Sequence, residues 1–210
     1  EVREIDTDHL KDGNVLVKVD YSGLNYKDAL ILNNGGRIVR KYPFVPGIDF
    51  SGSVEESEDT KFKKNDKVIL TGFRVGEMYY GGFSQYAKVN SDFLVKVPSN
   101  LDTLKAMKMG TAGLTALLCA FAVKAKEELL MGSKVKDVLV TGATGGVGSF
   151  AIMALSKMGY DVHAVTGKKE KHEYLKKLGA KNILDRNQFL GESKLLEKGL
   201  WDCVVDTVGG

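Results

Sequence analysis

The run Val138-Leu139-Val140-Thr141-Gly142-Ala143-Thr144-Gly145-Gly146-Val147-Gly148 constrains this chain more than any other segment. Its apolar start reads as the end of a buried strand. The residues after it, Phe150–Met158, carry apolar side chains at helical spacing and stop at Gly159. A glycine-rich turn between a strand and a helix is where free backbone N–H groups and the positive end of a helix dipole meet phosphate. Written as G-x-G-x-x-G, the turn has Ala143 in the first place, Gly145 where backbone approaches a pyrophosphate, and Gly148 where helix and strand pack closely. The expected phosphate contacts are Thr144, Gly145, Gly146, Val147 and Gly148. A glycine-rich turn with no ligand is the alternative, and the order of elements that follows weighs against it.

From Asp137 the chain alternates strand and helix. Val162–Val165 reads as a second strand, Glu170–Leu178 as a helix ended by Gly179, and Asn182-Ile183-Leu184 and Cys203-Val204-Val205 as two more short strands. Strands alternating with helices imply parallel βαβ units. In such a unit an acidic residue at the tip of the second strand bonds the ribose 2′-hydroxyl of NAD. Here that strand ends Ala164-Val165-Thr166-Gly167-Lys168-Lys169, without a carboxylate. A hydroxyl, a small residue and two cations suit a 2′-phosphate instead, with Thr166 donating and Lys168 supplying charge, so NADPH/NADP is the expected cofactor. A solvated helix start is the other reading. It is less favoured because cations beside the positive end of a helix dipole call for an anion.

The first half has a different texture. Asn14–Asp20, Gly52–Glu55, Asp66–Thr71, Phe83–Val89 and Phe93–Val97 read as short strands, with Asp12-Gly13 and Gly81-Gly82 as turns, in a mostly antiparallel β-rich domain. Leu104–Val123 is rich in Ala, Leu and Met, as expected of one or two buried helices interrupted by Gly110 and Gly113. The domain boundary is expected between residues 103 and 104. Lys and Arg number 30 against 27 Asp and Glu, interspersed along the chain, so bulk charge gives no support to a nucleic-acid partner. No apolar run reaches the roughly 18 residues that cross a bilayer, and no membrane partner is expected. The two cysteines, Cys119 and Cys203, have neither disulfide-framework nor zinc spacing, which fits a reducing cytoplasm.

The turn also fits Thr-Gly-x-x-x-Gly-x-Gly, the pattern of short-chain dehydrogenases. Elsewhere that family fits poorly: its turn lies near the N-terminus, and its Tyr-x-x-x-Lys is missing because Tyr174 is followed at that spacing by Leu178. A β-rich domain leading into the dinucleotide turn, with Asn25-Tyr26-Lys27-Asp28, Pro46-Gly47-Ile48-Asp49-Phe50-Ser51-Gly52 and Gly110-Thr111-Ala112-Gly113-Leu114-Thr115-Ala116, resembles the medium-chain dehydrogenase/reductase superfamily in its zinc-independent quinone-oxidoreductase branch. Ser22 to Leu30, Leu70-Thr71-Gly72 and Asp206-Thr207-Val208-Gly209 look most like the YhdH/YhfP group, which includes acrylyl-CoA reductases. The fold class implied is α/β: a GroES-like catalytic domain over 1–103, then a Rossmann NADP-binding domain over 104–210.

The resemblance carries chemical expectations. Zinc alcohol dehydrogenases have a catalytic Cys on the loop around Gly23–Asp28, Pro-Gly-His-Glu where this chain has Pro46-Gly47-Ile48-Asp49, and a four-Cys lobe; none of these has a counterpart here. Chemistry without zinc is implied: hydride delivery from NADPH to an activated C=C bond of acrylyl-CoA type, or to a quinone, with hydrogen-bond donors stabilising the developing oxyanion. The counterpart of Tyr26 lines the nicotinamide site in the resembling group. Tyr26 is therefore a candidate both for cofactor contact and for donating to a substrate oxygen, and a packed tyrosine beside an Asn25-capped helix is the alternative. Lys27 and Asp28 are expected either to pair with each other or to be solvated. Thr111, Thr207 and Val208 fall where the family approaches the nicotinamide ribose, although lone threonines usually satisfy nearby backbone. Relatives pair as homodimers through an edge of the nucleotide-binding sheet. A full dinucleotide fold has six strands and only four are legible from Asp137 onward, so 210 residues read as an incomplete Rossmann half, with an NADPH-binding protein of little turnover as the alternative function.

Overall fold

A computed structural model describes residues 2–10, 13–33, 38–40, 42–129, 134–189 and 198–209. Asp12 of the expected Asp12-Gly13 turn lies outside them. The chain divides into two compact units, Glu1–Thr111 and Ala112–Gly210. That division falls later than the change of composition at 104, because the long helix that opens there begins inside the first unit.

In the first unit, β1 (Val15–Ser22), β2 (Asp49–Ser57), β3 (Lys67–Thr71), β4 (Tyr86–Val89) and β5 (Val95–Lys96) form one antiparallel sheet in the order β4-β1-β2-β3-β5. Side chains alternate between sheet faces, so residues two apart share a face. Val15 and Val17, Phe50 and Val54, Val68 and Leu70, and Ala87 and Val89 are accordingly all buried in one cluster. β2 runs well beyond the expected Gly52–Glu55, since its polar Ser51 and Ser53 obscure the alternation while the ladder to β1 and β3 continues past them.

Helix α1 (Tyr26–Leu32) follows β1, with Asn25 at its N-cap. Asp28 fixes its start. Its carboxylate is 0% exposed and accepts from the N–H of Asn25 at 2.8 Å and of Ile48 at 2.9 Å. One bond closes the first turn of α1 and the other ties that turn to the segment entering β2. Asp28 thus pairs with backbone, and Lys27 instead forms an ion pair with Glu77 at 2.8 Å. The expected pairing of the two neighbours is corrected, since residues adjacent on a helix point in different directions; Lys27 is exposed, as the solvated alternative has it, whereas Asp28 is not, and burial demands partners for its carboxylate.

Helix α2 (Thr103–Leu129) is interrupted once. Gly110 has φ 45° and ψ −154°, whereas Gly113 continues the helix. By length and composition alone, with an 18-residue window of mean hydropathy 1.5, α2 is long and apolar enough to cross a membrane, which corrects the expectation that no segment qualifies. Lysines break its apolar run, yet few enough fall in one window to leave that window apolar. Beyond Gly110, α2 buries Ala116, Ala120 and Val123 in the core of the second unit and exposes Leu114, Leu118 and Phe121.

The second unit is a parallel sheet of β6 (Asp137–Val140), β7 (Asp161–Thr166), β8 (Asn182–Asp185) and β9 (Cys203–Val205), ordered β8-β7-β6-β9. Helix α3 (Gly146–Lys157) joins β6 to β7 and α4 (His172–Leu178) joins β7 to β8; Gly179 ends α4 in the left-handed region as expected. The first turn of the expected Glu170 helix is a separate 3-10 turn, Lys169–Lys171. Val138, Val140, Val162 and Ala164 of the strands meet Ala151, Ile152 and Leu155 of α3 and Leu175 of α4. At the edge of this core the Tyr160 hydroxyl donates to Glu127 at 2.8 Å, and burial followed by that carboxylate pushes the phenol up to about 12, so it stays protonated.

The tightest approach in this unit is at Gly148. A Cβ there would lie 2.5 Å from the carbonyl oxygen of Gly142 and 2.8 Å from Cα of Ala143, both backbone atoms that cannot swing away. Gly148→Ala should therefore force α3 off the tip of β6, with a loss of about 1–3 kcal/mol in urea unfolding. In the first unit, Asp28→Ala leaves two amides without their acceptor and is expected to cost about 2–4 kcal/mol in the same measurement. An unchanged unfolding midpoint in either variant contradicts the corresponding contact.

Candidate functional site

The carboxyl ends of the second unit's strands carry a polar rim. Gly145 is the N-cap of α3; its N–H donates to Gly142 at 2.9 Å and its carbonyl accepts from Ser149, also at 2.9 Å. Gly146, Val147 and Gly148 precede that first intrahelical donor, so their amides have no partner within the helix. Gly145 and Gly146 are exposed and Val147 is half-buried, with Thr144 half-buried beside them. The Ser149 hydroxyl donates to the Ala143 carbonyl at 3.3 Å, and the Ala143 amide donates to Val165 of β7 at 3.3 Å. The turn is thereby fastened both to its own helix and to the neighbouring strand.

On one side of the turn the tip of β6 is tied to the end of β9. The Thr141 hydroxyl donates to Asp206, the Thr207 amide donates to that hydroxyl at 3.0 Å, and the Thr207 hydroxyl donates to the Thr141 carbonyl at 2.9 Å. Thr141, then the amides of Val208 and Gly209, hold the Asp206 carboxyl below its ordinary range. Thr207 thus satisfies nearby backbone, as expected of a lone threonine, and Val208 stands exposed after it.

On the other side is the tip of β7. Thr166 is buried, and its hydroxyl accepts from the Lys168 N–H at 3.1 Å, leaving its own proton to donate. Gly167 and Lys168 are exposed. A residue that sequence reasoning missed joins them. Thr166 pairs with Asp185 at the end of β8, and the next residue, Arg186, lies across Gly167 so closely that a Cβ at 167 would be 2.8 Å from Nε and 3.1 Å from Cδ. Gly167 has no left-handed backbone, and the nearest atoms beside it are those of the Arg186 side chain, which could swing aside for a larger residue. Only the register of β8 against β7 brings residues 167 and 186 together, and spacing along the chain does not show it.

The first unit holds the remaining candidates. Tyr26 is the first residue of α1 and is 81% exposed, so it is not a packed tyrosine. Asp49, at the position that departs from Pro-Gly-His-Glu, is 1% exposed; its Oδ2 accepts from the Thr111 N–H at 2.9 Å, just past the break at Gly110, and its Oδ1 has no hydrogen-bond partner among the described residues. Among the described residues no three His, Cys, Asp or Glu side chains converge as a metal site. A cleft of about 930 Å³ lined by Ile31, Leu32, Tyr42, Phe44, Tyr80 and Phe83, among others, lies in this unit, with Tyr26 outside it.

Comparison with known proteins accounts for both units. Residues 11–99 match the alcohol dehydrogenase GroES-like domain and residues 146–210 the zinc-binding dehydrogenase domain. Over 210 residues the chain is 50% identical to the acrylyl-CoA reductase AcuI of Ruegeria pomeroyi, covering 100% of this chain and 63% of that one. The yhdH oxidoreductase of Salmonella enterica, crystallised with NADP, matches with a TM-score of 0.92 and 47% identity over 100% of this chain and 64% of its own. The yhfP protein of Bacillus subtilis, with NAD bound, matches with a TM-score of 0.87 and 45% identity over 100% and 63%. The chain thus spans about 63% of the length of the curated relatives it matches. A GroES-like domain followed by this dinucleotide turn, with these relatives across the whole chain, means that the chain belongs to the medium-chain dehydrogenase/reductase superfamily, in the group of YhdH and YhfP.

Proposed function

We propose that this chain acts as an NADPH-dependent oxidoreductase that reduces an activated C=C bond, as in an acrylyl-type enoyl thioester, or a quinone, without zinc. The observation that carries this reading is the α3 turn: exposed backbone at Gly145 and Gly146, with unpaired helix amides, at the carboxyl end of a parallel sheet. Ligands of open α/β sheets bind at that end. The residues fit a dinucleotide. Gly145 and Gly146 carry no side chain to bar a pyrophosphate, and a Cβ at 145 would already crowd the Gly142 carbonyl at 3.2 Å. Thr144 to Gly148 would hold the pyrophosphate, while Thr166, Gly167 and Lys168 would hold the adenosine ribose and its 2′-phosphate.

A dinucleotide held by these residues would supply the hydride. What the chain adds is position and polarity: the α3 amides fix the phosphates, and Tyr26 is the hydroxyl offered to the nicotinamide or to the oxygen on which charge develops. The names of the relatives support an enoyl thioester or a quinone as acceptor. A small-molecule substrate, a homodimer paired through a sheet edge and a cytoplasmic location complete the proposal.

Absorbance of NADPH, followed with the full-length protein against acryloyl-CoA and a quinone panel, tests this reading. Oxidation with one acceptor class is expected; NADPH binding seen by fluorescence with no oxidation by any acceptor overturns the reductase assignment in favour of a binding protein. Tyr26→Phe is expected to lower turnover about tenfold or more if the hydroxyl donates during reduction. Unchanged turnover confines Tyr26 to contact through its ring.

A further inference from the structure

We infer that the cleft between α2 and β9 is a covalent site for conjugated carbonyl acceptors, in which the Cys119 thiol adds to the activated alkene that the chain is proposed to reduce. The inference rests on that proposed activity for the chemical class of its ligand. It uses none of the residues assigned to the dinucleotide.

The chain has two cysteines, both free, and both line one open cleft of about 310 Å³. Cys119 stands half-buried on α2. Cys203, on β9, is 8% exposed and has no hydrogen bond to its thiol among the described residues, so it adds a second polarisable sulfur to the lining. Ala122, Val123 and Val204 supply apolar wall. Lys126 follows Cys119 by seven residues, two turns along the same face of α2. Its ammonium donates to the Asp202 carbonyl at 2.9 Å, which holds it at the cleft. A nucleophile, apolar room for a small planar group and a cation thus share one cleft.

An alkene conjugated to a carbonyl is a soft electrophile, and a thiol is the side chain that adds to it most readily near neutral pH. Sulfur bonds to the β-carbon of an acrylyl thioester as the C=C π bond opens, and the electron pair moves onto the carbonyl oxygen, where a cation stabilises the enolate. The thiol proton ends on the α-carbon. Nothing is oxidised, reduced or released, so the protein gains the mass of the whole acceptor. A quinone reacts at a ring carbon in the same way, and its adduct tautomerises to a hydroquinone thioether of equal mass.

Occupation of the cleft has a route to the cofactor site. Val205 and Asp206 also line it, and Asp206 accepts from the Thr141 hydroxyl and from the amides of Val208 and Gly209. An adduct wedged between α2 and β9 strains that tie, so the alkylated protein should hold NADPH less tightly.

Peptide mass spectrometry of the full-length protein, incubated without NADPH with acryloyl-CoA or with 1,4-benzoquinone, tests this independently of turnover, with glutathione in a parallel reaction as the reference thiol. Cys119 should carry one intact acceptor and react about tenfold or more faster than Cys203 and than glutathione. Cys119→Ala should abolish the adduct at this site and leave NADPH oxidation unchanged, whereas Cys203→Ala should leave Cys119 labelled. Lys126→Ala should slow the addition about threefold or more. After full labelling, NADPH fluorescence should show affinity weakened about fivefold or more in the wild type and unchanged in equally treated Cys119→Ala. Labelling by either acceptor supports the site and identifies which one fills it. An unlabelled Cys119, or one that reacts no faster than glutathione, overturns the inference and, with NADPH oxidation intact, leaves the reductase reading standing. Absence of NADPH oxidation with both acceptors overturns that reading, and the covalent site then stands or falls on the Cys119 adduct alone.

Discussion

The contact on which the second unit depends is the one that glycine makes possible between the first turn of α3 and the bend after β6. With backbone of Gly142 and Ala143 filling the space beside Gly148, the helix axis is brought down onto the strand tip, and its unpaired amides open directly beyond the sheet edge. The other fastenings act on the same bend. Ala143 is held to β7, Ser149 returns a hydroxyl to Ala143, and Thr141 with Thr207 and Asp206 holds β6 to β9. A turn anchored to both neighbouring strands and to its own helix loses little freedom when an anion arrives, which is the physical meaning of preorganisation.

The first unit solves a different problem, that of burying acids. Asp28 and Asp49 are both shut away from water, and both end on backbone amides: Asn25 and Ile48 for the first, Thr111 for the second. Hydrogen-bonded amides are what allow a carboxylate to be buried at tolerable cost. Asp49 sits at the point where the zinc alcohol dehydrogenases carry a histidine and glutamate pair, and here it holds the start of the second part of α2. Two helix starts and one strand entry are positioned by the two side chains.

Most of this architecture is legible in the sequence because it rests on short-range patterns. The apolar runs at 138–140 and 162–165, the glycines of the α3 turn and the cap at Gly179 each carry their own signal, and together they imply the parallel unit. The same patterns are silent where partners lie far apart in the chain. Asp28 reads as a surface neighbour of Lys27, because nothing in Asn25-Tyr26-Lys27-Asp28 announces the amide of Ile48. Gly110 and Gly113 read alike, yet only the first takes a left-handed φ. β2 hides its ends behind serines that the sheet pairs regardless of polarity. Arg186 escapes because its meeting with Gly167 depends on the register of two strands, which no local pattern encodes.

The packing of Arg186 on Gly167 also bears on how such chains can diverge. A side chain acquired at 167 while the arginine remains must displace it, whereas loss of the arginine frees 167 to vary. Residues 167 and 186 therefore compete for one space, and a descendant that gains a side chain at the first must re-place the arginine at the second. Coupling of this kind ties two positions far apart in the chain through a single steric clearance.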